Sequence, residues 1–513
     1  MTKITFLILT IASLSECANI LAVFPTPSIS HQIVFRPLIN ELVKRGHHVT
    51  VITTDPEFTK DKRPENLKEI DVHDLSYGLW EKFLATAKGQ ETDAQENIRL
   101  IFQLINIVFE EQLKSREVQE LITNRNITFD LLFVESCVRP AIAFSYIYKV
   151  PVIEISSLGG IFGTFDTTGA PISPLIYPLA TRQRLNNLTT WEKISELRTN
   201  YLEREMYGDL MKTENEMLKK IFGPDIPDIE QLKKNIHMVF LNVHPLWDFN
   251  RPVPPNVLYL GGLHQKYSKE LPKELQSYLD SSKNGVIYMS FGTNVKPSLL
   301  PPEKIQIFAN VFSQLPYDVL WKWNTDESPG RSDNVKISKW FPQSDLLKHP
   351  NVKAFITQGG LQSTDEAITA GVPLIGVPML GDQWFNVEQY VRLNIGVKLS
   401  IETITEDSLR NAIETVIKNK SYRQNIIKVR NIMKDQPLSA LERAVWWTEY
   451  VIRHGGAKHL QAAAAHMDWT EYYAIDLVLL VLIIFIIIAA IALLSLKLLL
   501  SKVNIISFKP KLQ

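Results

Sequence analysis

Only two cysteines, Cys17 and Cys137, occur in 513 residues, so a disulfide-stapled scaffold is excluded. No group of Cys and His has the spacing of a zinc site. Charge of neither sign predominates: 55 Lys and Arg balance 55 Asp and Glu. That removes the basic bias expected of a nucleic-acid binder and leaves no acidic tail. Glycine is missing from the loop Pro25–His31 behind the first predicted strand, so there is no dinucleotide fingerprint, which counts against an oxidoreductase. What the chain does have is length and a hydrophobic share of 45%, enough for two cores of ordinary domain size.

Residues 1–17 read as a signal peptide. Lys3 is the basic start, Ile4–Leu14 the apolar core, and Ser15 and Cys17 are small residues at cleavage-like spacing. Ile20–Phe24 is a strand, Ile33–Lys44 an amphipathic helix stopped by Gly46, and Val49–Thr53 a second strand, together a Rossmann-type half. His31 closes the intervening loop at the carboxyl edge of the first strand, where open α/β sheets bind ligands. A histidine there can take a proton near neutral pH; the competing reading is a helix N-terminal histidine with no role. Phe129–Val134 is another strand and delivers Glu135 to the same edge, as a functional carboxylate or as an exposed strand end. Cys137 reads as a packing residue. The segment from Leu75 to Glu120 is mostly helical, and its apolar run Leu100–Phe109 is too short to span a bilayer.

Pro245, Pro252, Pro254 and Pro255 mark a boundary. It gives a first domain at 18–255, a linker at 256–284 and a second domain at 285–460. The second domain opens with the strand Val286–Ser290 and a turn at Gly292-Thr293. Its densest stretch runs from Trp340 to Asn386. There Ala354–Thr357 is a buried strand, Gly359 and Gly360 make a tight turn, and Ser363-Thr364-Asp365-Glu366 opens a helix with a capping-box pattern. Gly371 ends that helix, and Pro373–Val377 is the next strand. Strand, glycine turn and helix N-terminus form a phosphate seat in a parallel α/β sheet.

The same stretch resembles the signature of the UDP-glycosyltransferases. The likeness rests on Trp340-x-Pro342-Gln343, Leu346-Leu347-x-His349-Pro350, Phe355-Ile356-Thr357-x-Gly359-Gly360, Glu366, Gly371-Val372-Pro373 and Asp382-Gln383. It implies a GT-B fold, two Rossmann-like domains facing a cleft, with the acceptor in the first and a UDP-sugar in the second. Trp340 would cover the uracil face and Gln343 its edge. Glu366 would hold the ribose, Asp382 and Gln383 the sugar hydroxyls. Gln362 and Ser363, with backbone N–H groups near Gly360, would meet the phosphates, and Thr293 would face the phosphate side. Gln358 stands where many members carry a histidine that contacts the diphosphate; it can donate a hydrogen bond but no charge.

His31 matches the family's general base and Glu135 the carboxylate that orients it, a glutamate where aspartate is common. The loop Ser156–Pro178, with Phe162, Phe165 and Tyr177, would line the acceptor. No Asp-x-Asp pair is present, which argues against a metal-held nucleotide sugar; no cofactor is expected beyond the UDP-sugar co-substrate. UDP-glucose is the favoured donor and UDP-glucuronate the fallback. A contrasting reading, motivated by Gln358 and Glu135, is a membrane-tethered binder of lipophilic ligands that has lost catalysis.

Leu477–Leu496 is apolar but for one serine and long enough to cross a membrane. Asp468, Glu471 and Asp476 precede it, while Lys497, Lys502, Lys509 and Lys511 follow. This predicts a type I protein with a cytosolic tail at 497–513. The ending Lys509-Pro510-Lys511 resembles a dilysine retrieval signal of the endoplasmic reticulum. Sequons at Asn126, Asn187 and Asn419 agree with lumenal exposure. Homo- and hetero-oligomers both stay open.

Overall fold

A computed structural model describes residues 17–84, 94–265, 268–325, 330 and 332–507. The expected signal peptide, except Cys17, and the terminal lysines Lys509 and Lys511 lie outside them. The apolar segments predicted as strands join further strands, which the sequence reading did not single out, in two parallel sheets. The first comprises β1 (Asn19–Phe24), β2 (His48–Thr53), β3 (Leu67–Asp71), β4 (Leu131–Glu135), β5 (Val152–Ser156), β6 (Ile236–Leu241) and β7 (Val257–Tyr259). Its order is β3-β2-β1-β4-β5-β6-β7. The second comprises β8 (Val286–Ser290), β9 (Asp318–Lys322), β10 (Val335–Ser338), β11 (Val352–Thr357), β12 (Leu374–Gly376) and β13 (Gly396–Lys398). Its order is β10-β9-β8-β11-β12-β13. Every residue of β4, β6, β8 and β12 is buried, as parallel strands covered on both faces require.

In each sheet the strand order reverses beside the first strand, between β1 and β4 and between β8 and β11. Crevices for ligands open at such switch points, beyond the carboxyl ends of the strands. The first crevice receives the chain just after β1 and the end of β4. The second receives the turns after β8 and β11.

Several boundaries differ from expectation for identifiable reasons. The helix after β1 is Ile29–Lys44, so His31 lies in its first turn rather than at the end of a loop; the His31 amide already donates to the Ser28 carbonyl at 2.9 Å. The segment expected as a linker holds β7, which pairs with β6, and the helix Lys273–Ser281. The first lobe's sheet therefore ends at Tyr259, beyond the expected boundary at Pro255. The helix Ala440–Arg453, expected within the second domain, packs against the first lobe. Its Ala444, Val445 and Val451 share one core with Val34, Leu38 and Leu42. Arg45 and Glu449 add an ion pair at 3.2 Å across that contact.

Candidate active site

His31 and Glu135 reach each other from different elements at the first switch point. His31 Nδ1 lies 2.5 Å from Glu135 Oε1. The carboxylate is 1% exposed, so it is no exposed strand end. Its other oxygen accepts from the Thr26 amide at 3.2 Å. Gln32 stiffens the loop between them: its amide donates to the Phe24 and Thr26 carbonyls at 2.9 and 3.2 Å. With Nδ1–H directed at the carboxylate, Nε2 is left as the ring nitrogen with a free lone pair.

His31 opens onto a cavity of about 180 Å³. Its walls are mostly apolar, with Trp80, Phe102, Ile105 and Phe162 from the first lobe. Thus the run Leu100–Phe109 contributes a wall as well as core. Of the aromatics expected to line the acceptor, Phe162 does so. Phe165 is buried, and its ring and that of Tyr177 lie under the Arg251 guanidinium, at 3.7 and 5.0 Å. The second lobe supplies Asn294, Gly381, Asp382 and Gln383 to the same cavity. Burial raises the Asp382 carboxyl to about 6, opposed by the Asn386 amide and by nearby His31. Cys137 shares the space, and its donor atom lies within 4.8 Å of those of His31 and Glu135. Burial, reinforced by the charge of Glu135, pushes its thiol well up.

A second group forms around Gln343. Its amide donates to Ser363 Oγ at 2.9 Å and to Glu366 Oε2 at 2.7 Å, and its oxygen accepts from Tyr288 at 3.1 Å. Burial lifts Glu366 to about 6, against the pull of the Gln343 amide. The capping box is not formed. The helix starts earlier, at Leu361, with Gly360 as N-cap and no side-chain cap. Glu366 turns instead to Gln343, a tertiary partner that local pattern cannot display. The uncapped turn leaves N–H groups pointing out of the helix end. Trp340 is 60% exposed, with Lys322 Nζ 4.5 Å from its ring centroid.

Gln358 sits between the two glycine turns. A Cβ on Gly292 would lie 2.4 Å from its Nε2, and one on Gly360 3.4 Å. The left-handed φ of Gly292, +73°, adds a second reason for glycine there. Two expected residues, Thr293 and Gln362, are placed otherwise, and Gln383 keeps only part of its side chain for a ligand. Thr293 is exposed outside the cavity, and its neighbour Asn294 faces inward, donating to Ser28 Oγ across the cleft at 3.2 Å. Gln362 spans the lobes and donates to the Ser157 carbonyl at 3.1 Å. Gln383 spends its oxygen on the Met379 and Leu380 amides, both at 2.8 Å, leaving only its NH₂ for a ligand.

Asn294, Gln32 and Asn386 escaped the sequence reading. Asn386 donates to the Gly359 carbonyl and to Asp382 and accepts from Trp247 of the first lobe, at 2.8–2.9 Å. The available signal was a polar side chain on an otherwise buried helix face, as for Gln32 and Asn386.

The sequence profile described as "UDP-glucoronosyl and UDP-glucosyl transferase" matches residues 19–509. An ecdysteroid UDP-glucosyltransferase of Spodoptera littoralis nuclear polyhedrosis virus is 37% identical over 486 residues, covering 91% of this chain and 94% of its own. UDP-glucosyltransferase 2 of Dactylopius coccus is 33% identical over 483 residues, covering 91% and 90%. Among solved structures, a UDP-glucosyltransferase from Polygonum tinctorium capable of glucosylating indoxyl, in complex with 3,4-dichloroaniline, matches with a TM-score of 0.59 at 17% identity. That match covers 85% of this chain and 99% of the other, and at such identity it speaks for the fold. With two GT-B lobes facing one cavity and family sequence along nearly its whole length, the chain belongs to the UDP-glucuronosyl and UDP-glucosyl transferases, enzymes that transfer a hexose from a UDP-sugar.

Proposed function

We propose that the protein transfers glucose from UDP-glucose to a hydroxyl of a small lipophilic acceptor, with inversion and without a metal, in the manner of a conjugating enzyme. The observation that carries this is the 2.5 Å contact of His31 with Glu135 on a largely apolar cavity that Asp382 and Gln383 enter from the other lobe. His31 Nε2 takes the acceptor proton, and Glu135 fixes the tautomer and stabilises the imidazolium as it forms. The acceptor oxygen attacks the anomeric carbon from the face opposite UDP, so one displacement inverts the configuration. UDP departs toward the uncapped helix end at Gly360, whose dipole and N–H groups favour an anion.

Asp382 and the Gln383 NH₂ hold sugar hydroxyls, while Trp340, Gln343 and Glu366 hold uridine. Gln358 donates to the diphosphate side. Relatives named ecdysteroid UDP-glucosyltransferases put a hydroxylated steroid among the acceptors to try. The helix Ile475–Ser507 is long and apolar enough to cross a membrane. We take it as the anchor of a type I protein of the endoplasmic reticulum, with both lobes lumenal. The deciding experiment is His31→Ala. UDP binding by calorimetry should persist while UDP release with acceptor is abolished; unchanged turnover would remove His31 from the reaction.

A further inference from the structure

Away from the cavity, the helix Thr190–Phe222 carries an exposed apolar face. Trp191 is 80% exposed, and Ile194, Leu197 and Tyr201 are exposed beside it. At about 100° per residue these project from one side of the helix. The opposite side is engaged. Glu196 and Glu203 pair with Arg182 at 2.6 and 2.8 Å, and Tyr207 walls the cavity. The neighbouring loop adds Leu175 and Ile176, the latter 60% exposed. Loop and helix are packed together, since Ile172, Pro174 and Tyr177 share a pocket with Asn200 and Arg204. Exposed apolar clusters of this kind mark contact surfaces.

The position of the apolar C-terminal helix says what covers it. The chain leading to that helix runs along the first lobe. Ala457 donates to His237 at 2.8 Å and Gln461 to the Ile236 carbonyl at 2.8 Å. It then passes Gly169 so closely that a Cβ there would lie 2.8 Å from the Ala465 amide nitrogen. Only residues 466–474 separate this point from Ile475, where the apolar helix begins. Fully extended, they let the chain reach at most about 36 Å from Ala465 to Ile475. Gly169 opens the loop that carries Leu175 and Ile176. Trp469, Tyr472 and Tyr473 are exposed at the top of the apolar helix, the belt expected at a membrane–water interface. Arg198, on the apolar face, and Lys193 beside it are exposed as well, as on an interfacial helix whose long cations reach up to the headgroup level.

We propose that the first half of this helix, with the loop at Leu175–Ile176, dips into the bilayer that holds the anchor, as a second and monotopic contact. This rests on the anchor reading above. The inner face of the same helix walls the cavity, so an acceptor dissolved in lipid meets the enzyme at the back of its own binding wall.

The test uses the full chain in phosphatidylcholine and phosphatidylserine vesicles containing a photoactivatable phospholipid, with adducts mapped by mass spectrometry. Adducts are expected in peptides covering 171–178 and 190–202 as well as in the anchor. In a variant carrying Trp191→Asp, Ile194→Asp and Tyr201→Asp, adducts at 190–202 should fall at least about tenfold. Its KM for a membrane-partitioned phenol should rise, with the KM for UDP-glucose and for a water-soluble phenol unchanged. Adducts in the anchor alone would overturn this proposal and leave the anchor standing; adducts nowhere would overturn both. Cross-links between the helices of two copies, without lipid adducts, would assign the face to self-association and overturn it too.

Discussion

Replacing Glu135 with glutamine keeps the shape of the side chain and removes its charge. The carbonyl of the new side chain can still accept from the Thr26 amide, which now bonds Glu135 Oε2 at 3.2 Å. What changes is the partner of His31. When the acceptor proton moves to Nε2, the ring becomes a cation in contact with a buried carboxylate at 2.5 Å. The centres of the two charges then lie about 4 Å apart, and at an effective dielectric of about 20 their attraction is about 4 kcal/mol. This attraction exists in the transition state and is absent for the neutral ring, so it acts on kcat. Its loss corresponds to a roughly thousandfold slower turnover. The assay is UDP release at saturating UDP-glucose and acceptor, with calorimetric UDP affinity and thermal melting as controls. A variant that binds UDP and melts normally but loses less than about threefold in kcat would refute the argument, since general-base contributions run about 10²–10⁴.

Burial raises Glu366 to about 6, and ribose hydroxyls donate best to its ionised form. UDP affinity should therefore weaken as pH falls from 7 to 5, and Glu366→Gln should flatten that profile in calorimetry. The sign for stability is opposite: the folded carboxyl holds its proton to higher pH than the unfolded one, so its burial costs most above about 6 and the cost fades on acidification. Trp340→Ala should weaken UDP binding by about 1–3 kcal/mol through lost stacking, with the melting temperature nearly unchanged because the ring is exposed. Gly376→Ala would set a Cβ 2.4 Å from Val387 Cγ2, pressing on the helix that begins at Gln383. A loss of about 1–3 kcal/mol is expected in urea unfolding, smaller when Val387→Ala is already present.

Strands β1, β2, β4, β8, β11 and β12 were legible because they are short, apolar and punctuated by turn residues, a signal carried by each segment alone, whereas β3, with Lys68, Glu69 and Asp71, carries no such signal. The edge to which His31 and Glu135 belong was legible for the same reason. Their pairing came from the family resemblance alone, because the 2.5 Å contact joins residues from separate elements and no local pattern displays it. The one-residue difference between Thr293 and Asn294 lies in a turn, where no period says which side chain faces in. The bond of Gln362 to Ser157, and that of Glu366 to Gln343 in place of a capping box, were hidden because the partners lie on distant segments. The packing of Ala440–Arg453 on the first lobe was hidden likewise: an amphipathic helix announces that it has an apolar face, and not whose core that face completes.

That last feature bears on the order of synthesis. Part of the first lobe's core is supplied by Ala444, Val445, Val451 and Ala457, which leave the ribosome after the whole second lobe. The part of the Ile29–Lys44 helix that meets Ala440–Arg453, beyond what the early strands already cover, must therefore wait while more than half of the polypeptide is made. A nascent chain halted before the Ala440–Arg453 helix is left with an adhesive flank, and a chaperone would find its client there.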